Sequence, residues 1–187
     1  MFARLYDAAL TLFEAQGYEA VSVASICDAA QVAKGTFFNH FPTKEHVLFE
    51  WYARATAKAE TVQPSPGSLG NQLASVCWAS LSAVIARPEL WRAKLRLSSL
   101  HAELRAVEHG ADARSRERFC SLIAAAQAKG EVRAEIDPEA AAGLFLAQLT
   151  GTVREWVNAE GGFDLAATVE ARTRAFANLL APGQVEH

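Results

Sequence analysis

Cysteine, methionine and proline are scarce in this chain, with three, one and six copies in 187 residues. Cys27, Cys77 and Cys120 are odd in number and each falls inside a helical pattern, which argues against a disulfide framework and for reduced thiols packed as small apolar groups. An excess of either charge is missing too. The net charge of −3 and pI near 6.0 do not by themselves mark a nucleic-acid binder. The sequence reads as having no apolar run of 18 residues without charge, so no membrane span is expected, and the opening residues lack the order of a signal peptide, so the expectation is a cytoplasmic protein with no membrane partner. A Gly-rich phosphate loop, a nucleophile elbow and a His-Glu-x-x-His pair are all absent, so no catalytic residue is assigned. His101 and His109 lack ligand-spaced cysteines or carboxylates around them. No metal site and no cofactor are expected.

What is present is apolar content of 51%, enough for a substantial core, and one densely patterned stretch, Ser22 to Phe41. Ser22 can cap a helix whose apolar positions Val23, Ile26, Cys27 and Ala30 share one face of a 3.6-residue period. A second helix is expected from about Ala33 to His40, with Phe37 and Phe41 turned to a core and Pro42 as its stop. Only Gln31 and Val32 remain for the corner, so the pair must cross steeply, as in a helix-turn-helix. Lys34, Thr36, Asn39 and His40 then line its outward side as a reading face.

Taken in order, the rest of the chain is helical in period throughout. A first helix over residues 2–16 carries Leu5, Ala9, Leu12 and Phe13, with Gly17 expected as a left-handed cap. A fourth runs from Lys44 to about Thr61, and the Pro/Gly/Ser cluster at 63–68 marks a boundary. A fifth helix spans Leu69 to Arg87, a sixth Glu89 to about Leu104, and a seventh follows Gly110 and stops at Gly130. Asp137-Pro138-Glu139 opens the eighth with a cap, a proline and an acid at the positive end, and Asp164 caps the ninth, which reaches about Leu180. The fold class expected is all-α, about nine helices: a helix-turn-helix domain over residues 1–45, a connecting helix over 46–63, and a larger helical domain over 64–187.

Residues 8–48 resemble the DNA-binding region of the TetR/AcrR family of bacterial transcriptional regulators. The matched elements are Ala8-Ala9 with Leu12-Phe13, Gly17-Tyr18, Ser22-Val23 with Ile26, and Val32, Lys34-Gly35-Thr36-Phe37, His40-Phe41 and Lys44-Glu45 at fixed offsets. The resemblance implies a dimeric regulator, most simply a repressor released from a palindromic double-stranded DNA operator when a small molecule binds the carboxy-terminal domain. The alternatives are an all-helical enzyme or a protein-interaction module without DNA binding. Ser22, Lys34, Gly35, Thr36, Phe38, Asn39, His40 and Lys44 are the expected DNA contacts. Lys34 reaches phosphate or a guanine edge, Gly35 lets backbone approach, Asn39 reads adenine or phosphate, and Lys44 adds a phosphate contact. Two positions depart from the family pattern. Ala33 stands where Ser or Thr is frequent, which removes a cap of about 1 kcal/mol, and Phe38 replaces a Tyr whose hydroxyl meets phosphate. Residues 1–63 also hold five basic side chains against seven acidic ones, an awkward balance for a DNA reader.

Trp78, Trp91, Leu95, His101, Phe119, Phe145, Gln148, Leu149, Thr152 and Trp156 are candidate walls of an effector pocket, with Cys77 and Ser80 as further anchors. Such residues at helical spacing equally describe an ordinary core. Gly143, Ala147 and Gly151 form a small-residue row at four-residue spacing, and Val169, Phe176 and Leu180 line the ninth helix. The resemblance implies that these last two helices pair with their mates in a homodimer, setting two reading helices roughly 34 to 36 Å apart.

Overall fold

The computed structural model describes residues 1–183. Among them lie nine α-helices and no strand: α1 (Phe2–Gln16), α2 (Val23–Ala30), α3 (Lys34–His40), α4 (Lys44–Glu60), α5 (Leu69–Ala86), α6 (Pro88–Ser98), α7 (Ala102–Ala128), α8 (Pro138–Asn158) and α9 (Leu165–Leu180). Local chemistry explains most of the boundaries. The Ser22 hydroxyl accepts from the Ser25 N–H at 3.0 Å while the Ser25 hydroxyl accepts from the Ser22 N–H at 3.1 Å, a reciprocal cap. Asp137 and Asp164 cap α8 and α9 through their carboxylates. Gly17 has φ 81 but ψ 147, so it ends α1 by turning extended rather than left-handed helical.

Two expected boundaries move. Gly110 does not break the chain, because α7 runs through it from Ala102; one glycine costs a helix only about 1 kcal/mol. The break falls instead at Ser99–His101. There the Leu97 carbonyl accepts from both Leu100 and His101, and the Ser98 and Ser99 hydroxyls turn back to Leu95 and Arg96. Arg105 then donates to the Ser98 and Ser99 carbonyls and closes the end of α6.

Contacts divide the chain into two units, Met1–Ala55 with Ala86–Val107, and Thr56–Ile85 with Glu108 onward. Helices α4 and α7 contribute to both. This grouping differs from the linear boundaries expected from sequence, because α6 packs into the first unit through Leu90, Ala93 and Leu97. Around them Leu5, Ala9, Phe13, Ile26, Phe37, Val47, Leu48 and Leu104 are fully buried. At about 1.5 to 3 kcal/mol for each large apolar side chain removed from water, this core holds the short α3 in place.

The second unit is built on Leu73, Ile123, Ala142 and Phe145, with Phe119 and Phe176 each 4.9 Å from Phe145, ring centre to ring centre. The Gln127 carboxamide staples the α7–α8 loop by donating to the carbonyls of Arg133 and Ile136. Helix α5 corrects one reading of the sequence. Its 18 residues, Leu69–Ala86, carry no charge and reach a mean hydropathy of 1.3, long and apolar enough on those measures to cross a membrane. Yet Leu69, Leu73, Val76, Cys77, Leu81 and Val84 are buried within this unit, and Asn71, Gln72 and the serines occupy other faces. A buried helical stripe of that kind describes a core helix.

Candidate functional site

Helix α3 is only seven residues long, so its position depends on what lies beneath it. Phe37 is the anchor, fully buried, with Phe38 edge-on to it at 5.4 Å and Phe41 at 5.6 Å. The corner before it is made by Gln31 in the left-handed conformation, φ 52 and ψ 53, and by the Val32 N–H donating back to Cys27 at 3.0 Å. Ala33 provides no side-chain cap. With Phe37 inward, Lys34, Gly35, Phe38, Asn39 and His40 are exposed together and Thr36 is half-buried beside them. Phe38 is 52% exposed, a large aromatic on an otherwise polar surface. Open space stands above Gly35, so nothing in the protein blocks approach there.

The other two expected DNA contacts are occupied differently. Ser22 is exposed but spends its hydroxyl on the α2 cap. The Lys44 ammonium lies half-buried, donating to the carbonyls of Tyr18 at 2.9 Å and Val21 at 3.0 Å and sitting 4.2 Å from the Tyr18 ring centre. It therefore fixes the α1–α2 connection, and through it the start of α2, as a cation over an aromatic face. Glu45 beside it is pulled in two directions. Burial works to raise its carboxyl, but hydrogen bonds, that from Thr43 foremost, outweigh burial and hold it below the ordinary range.

The unfavourable charge balance of residues 1–63 also changes on folding. By taking in residues 86–107, α6 with its flanks, and leaving out Lys58 and Glu60, the first unit gains Arg87, Arg92, Lys94, Arg96 and Arg105, giving nine basic against eight acidic side chains, a net of +1. Arg87 lies 2.7 Å from Glu14 and Arg96 3.9 Å from Glu19, so two acids of the amino-terminal region face cations there. Exposed pairs of this sort add little stability. Their effect is to cancel charge that would repel phosphate.

Comparison with known proteins bears on this geometry. Residues 5–51 match the family described as bacterial regulatory proteins, tetR family. The HTH-type transcriptional repressor KstR of Rhodococcus jostii is 36% identical over 63 residues, 34% of this chain and 30% of that protein. Residues 5–51 are thus a TetR-family DNA-binding region. The A-factor receptor protein of Streptomyces griseus is 27% identical over 98% of this chain and 65% of its own length. These curated TetR-type relatives are thus spanned over less than two thirds of their length. Among solved structures, the fatty acid degradation regulator FadR from Bacillus halodurans superposes with a TM-score of 0.75 at 23% identity, covering 100% of this chain and 96% of that one, a likeness of fold. The helix-turn-helix of this matched region is α2 and α3, and it is a DNA-binding element.

The ten residues taken as candidate effector walls do not gather in one place. Trp91, Leu95 and His101 belong to the first unit, where Trp91 stands edge-on to Trp51 and Tyr52, and His101 to Phe49. In the second unit, Phe145 is core. Thr152 is fully buried, donating to the Gln148 carbonyl and accepting from Arg172 at 2.7 Å, which ties α9 to α8. Trp156 donates its indole N–H to Phe163 at 2.9 Å and braces the Gly161 turn. Trp78 is 54% exposed on the wall of an open cleft of about 1080 Å³ between α5 and α9. Phe119 and Leu149, by contrast, line a small, partly open pocket of about 50 Å³ together with Thr56, Ala59, Glu60, Val76, Ser80, Ser115 and Arg118. Arg118 and Ser115 were missed from sequence; their spacing from Phe119 on α7 was the available signal. Gln148, one position before Leu149, has both carboxamide atoms buried without a hydrogen-bond partner.

The expected dimer surface needs the same correction. Val169 and Leu180 are buried within their own subunit, and the half-buried Phe176 packs at a tilt against Phe145, so two of the three are spent internally and the third in part. Gly143 and Gly151 have open space above them, Ala147 is exposed, and Leu144 and Leu179 are 69% and 72% exposed. The unpartnered apolar positions of α8 and α9 are therefore Leu144 and Leu179, one residue away from Gly143 and Leu180.

Proposed function

We propose that the protein is a homodimeric transcriptional repressor of the cytoplasm that reads a palindromic double-stranded operator through α3 and lets it go when a small molecule enters the second unit. The observation that carries this reading is the exposed row Lys34, Gly35, Phe38, Asn39 and His40 standing over the fully buried Phe37. A helix held by one deep aromatic and bare on its other side is suited to a major groove. Lys34 meets phosphate or a guanine edge, Asn39 meets adenine or phosphate, and Phe38 packs on sugar or a thymine methyl. Repression agrees with the naming of KstR as a repressor, and response to a ligand with the naming of the A-factor receptor protein as a receptor. Dimerisation is supported by the open row Gly143, Ala147 and Gly151 with Leu144 and Leu179, which leaves apolar surface for a second copy to cover. No catalytic step is assigned.

The small, partly open pocket bounded by α4, α5, α7 and α8 is where we place the effector. Its small volume implies that ligand entry moves the walls, and a ligand shifts DNA affinity only as far as it prefers one arrangement over the other. The test is a mobility shift on the duplex upstream of the protein's own gene, run across salt, beside sedimentation of the free protein. A dimer that retards that duplex specifically, with retardation lost in Lys34→Ala and Asn39→Ala, is the expected result. A monomer, or retardation indifferent to both substitutions, overturns the reading.

A further inference from the structure

The carboxy-terminal end of α4 is held by two arginines one turn apart on α7. Arg114 donates to the Glu60 carboxylate at 2.8 Å. Arg118, half-buried, donates to the backbone carbonyls of Ala59 at 3.1 Å, Glu60 at 3.3 Å and Val62. The last carbonyls of a helix have no partner within it, and a cation there also meets the negative end of the helix dipole. Arg118 is thus the cap that fixes where α4 ends. Arg118 also lines the small, partly open pocket, together with the hydroxyl-bearing Ser80 and Ser115 and the apolar Val76, Phe119 and Leu149. Arg118 is the one cation in that lining, and the one acid, Glu60, is already held by Arg114.

From this arrangement we infer that the effector is an apolar monocarboxylate and that Arg118 is its receptor, exchanging the neutral carbonyls of α4 for the charged carboxylate. The inference rests on the ligand-responsive reading of the second unit. The exchange runs downhill because a hydrogen bond from a guanidinium to a carboxylate is about twice as strong as one to a neutral acceptor, and the planar fork matches two carboxylate oxygens at once. A pocket of about 50 Å³ has room for a few waters, and so for the head of such a ligand but not for its body. The body enters by parting Val76, Phe119 and Leu149. Meanwhile the Glu60 and Val62 carbonyls lose Arg118, that of Ala59 keeps only the Val62 N–H, and the end of α4, the helix that starts just after α3, is loosened. Binding and uncapping are a single event, which is what couples ligand to DNA.

The test uses the full chain and reads binding without DNA, by calorimetry and thermal midpoint, with benzoate, octanoate and decanoate against benzyl alcohol, octanol and decanol. The expected result is that at least one carboxylate binds about tenfold or more tightly than its alcohol, since a charge-assisted pair is at stake. Arg118→Gln then binds acid and alcohol alike, and Arg118→Lys, which keeps the charge without the fork, recovers part of the preference. On the upstream duplex, ligand-free Arg118→Gln behaves like carboxylate-loaded wild type, while circular dichroism reports unchanged helix content. Binding by no carboxylate, equal binding of acids and alcohols by the wild type, or a carboxylate preference that survives Arg118→Gln would each sink the inference. If Arg118→Gln does not fold, the acid against alcohol comparison in wild type and Arg118→Lys decides. Absence of specific DNA retardation by the ligand-free wild type would instead count against the repressor reading, leaving the calorimetric result to stand by itself.

Discussion

The two units of this chain are packed to different ends. Of the twelve largest fully buried side chains, nine lie in the first unit, among them Phe13, Phe37, Leu48 and Leu90, although that unit is the shorter. The second unit contributes Phe145, Leu73 and Ile123 to the same group, yet it contains the small pocket, the unbonded Gln148 carboxamide and the exposed Trp78, Leu144 and Leu179, while the first unit's Trp91 indole N–H is likewise buried without a partner. Their charges diverge as well, with nine basic and eight acidic residues in the first and nine basic and thirteen acidic in the second. A reading head gains from rigidity, because base contacts depend on fixed side-chain positions. A receptor gains from voids and unpaired groups that something else can complete.

The comparison breaks most sharply in the cores. Phe37→Ala removes a fully buried ring from the first unit and is expected to cost about 3 to 5 kcal/mol, with DNA binding lost as α3 comes adrift. Phe176→Ala removes a half-buried ring from the second and should cost less than half as much. Chemical denaturation of both variants measures this, and equal losses would mean that the units are equally tight. Gln148→Met sharpens the contrast from the other side. Deleting a buried amide that bonds to nothing should leave stability unchanged or raise it by about 1 kcal/mol. A loss of that size would instead show the carboxamide to be satisfied, and the second unit to be as complete as the first.

Within the head, Lys44 and Lys34 separate structure from recognition. Lys44→Ala gives up two bonds to carbonyls and a cation over an aromatic ring, so a stability loss of about 1 to 2 kcal/mol is expected in thermal melts. Lys34→Ala should change stability by less than about 0.5 kcal/mol but lower the salt dependence of operator binding by about one unit of slope. Reversed behaviour would exchange their roles. The smallest effect at neutral pH concerns Cys77, whose thiol is pushed up to about 12 by burial, partly offset by the nearby Arg118. It should resist alkylation in the native protein while the half-buried Cys120 reacts sooner. The folded chain holds this proton where the unfolded chain gives it up near 9.0. The contribution is therefore complete below pH 9 and is lost as pH rises toward 12, which a stability profile across that range would record.

Much of the head was legible because its signals are local. Ser22 with Ser25, the i, i+3, i+4 spacing of Val23, Ile26 and Cys27, and Phe37 four residues before Phe41 all concern side chains within a turn or two of each other. The reading face followed as the complement of the buried one. The effector and dimer residues were harder, because a helical period tells which residues share a face and not which neighbour that face meets. Phe176 and Leu180 satisfy the pattern for a dimer surface and the pattern for a core equally, and only the fold shows Leu180 buried and the half-buried Phe176 packed 4.9 Å from Phe145. The break between α6 and α7 was missed for a related reason. A glycine at position 110 is a stronger local signal than two serines, but Arg105 reaching the Ser98 and Ser99 carbonyls is what ends the helix.

The sequence by itself determined an all-helical chain, the corner at Gln31 and Val32, and the set of side chains α3 turns outward, since each depends on residues close in the chain. Tertiary structure alone decided that α6 joins the head and tips its charge to +1, that Lys44 is spent on Tyr18 and Val21, and that Arg118 caps the end of α4 beside a small pocket. Those contacts join residues 23 to 59 positions apart, and no local period encodes which distant partner a long cation will reach.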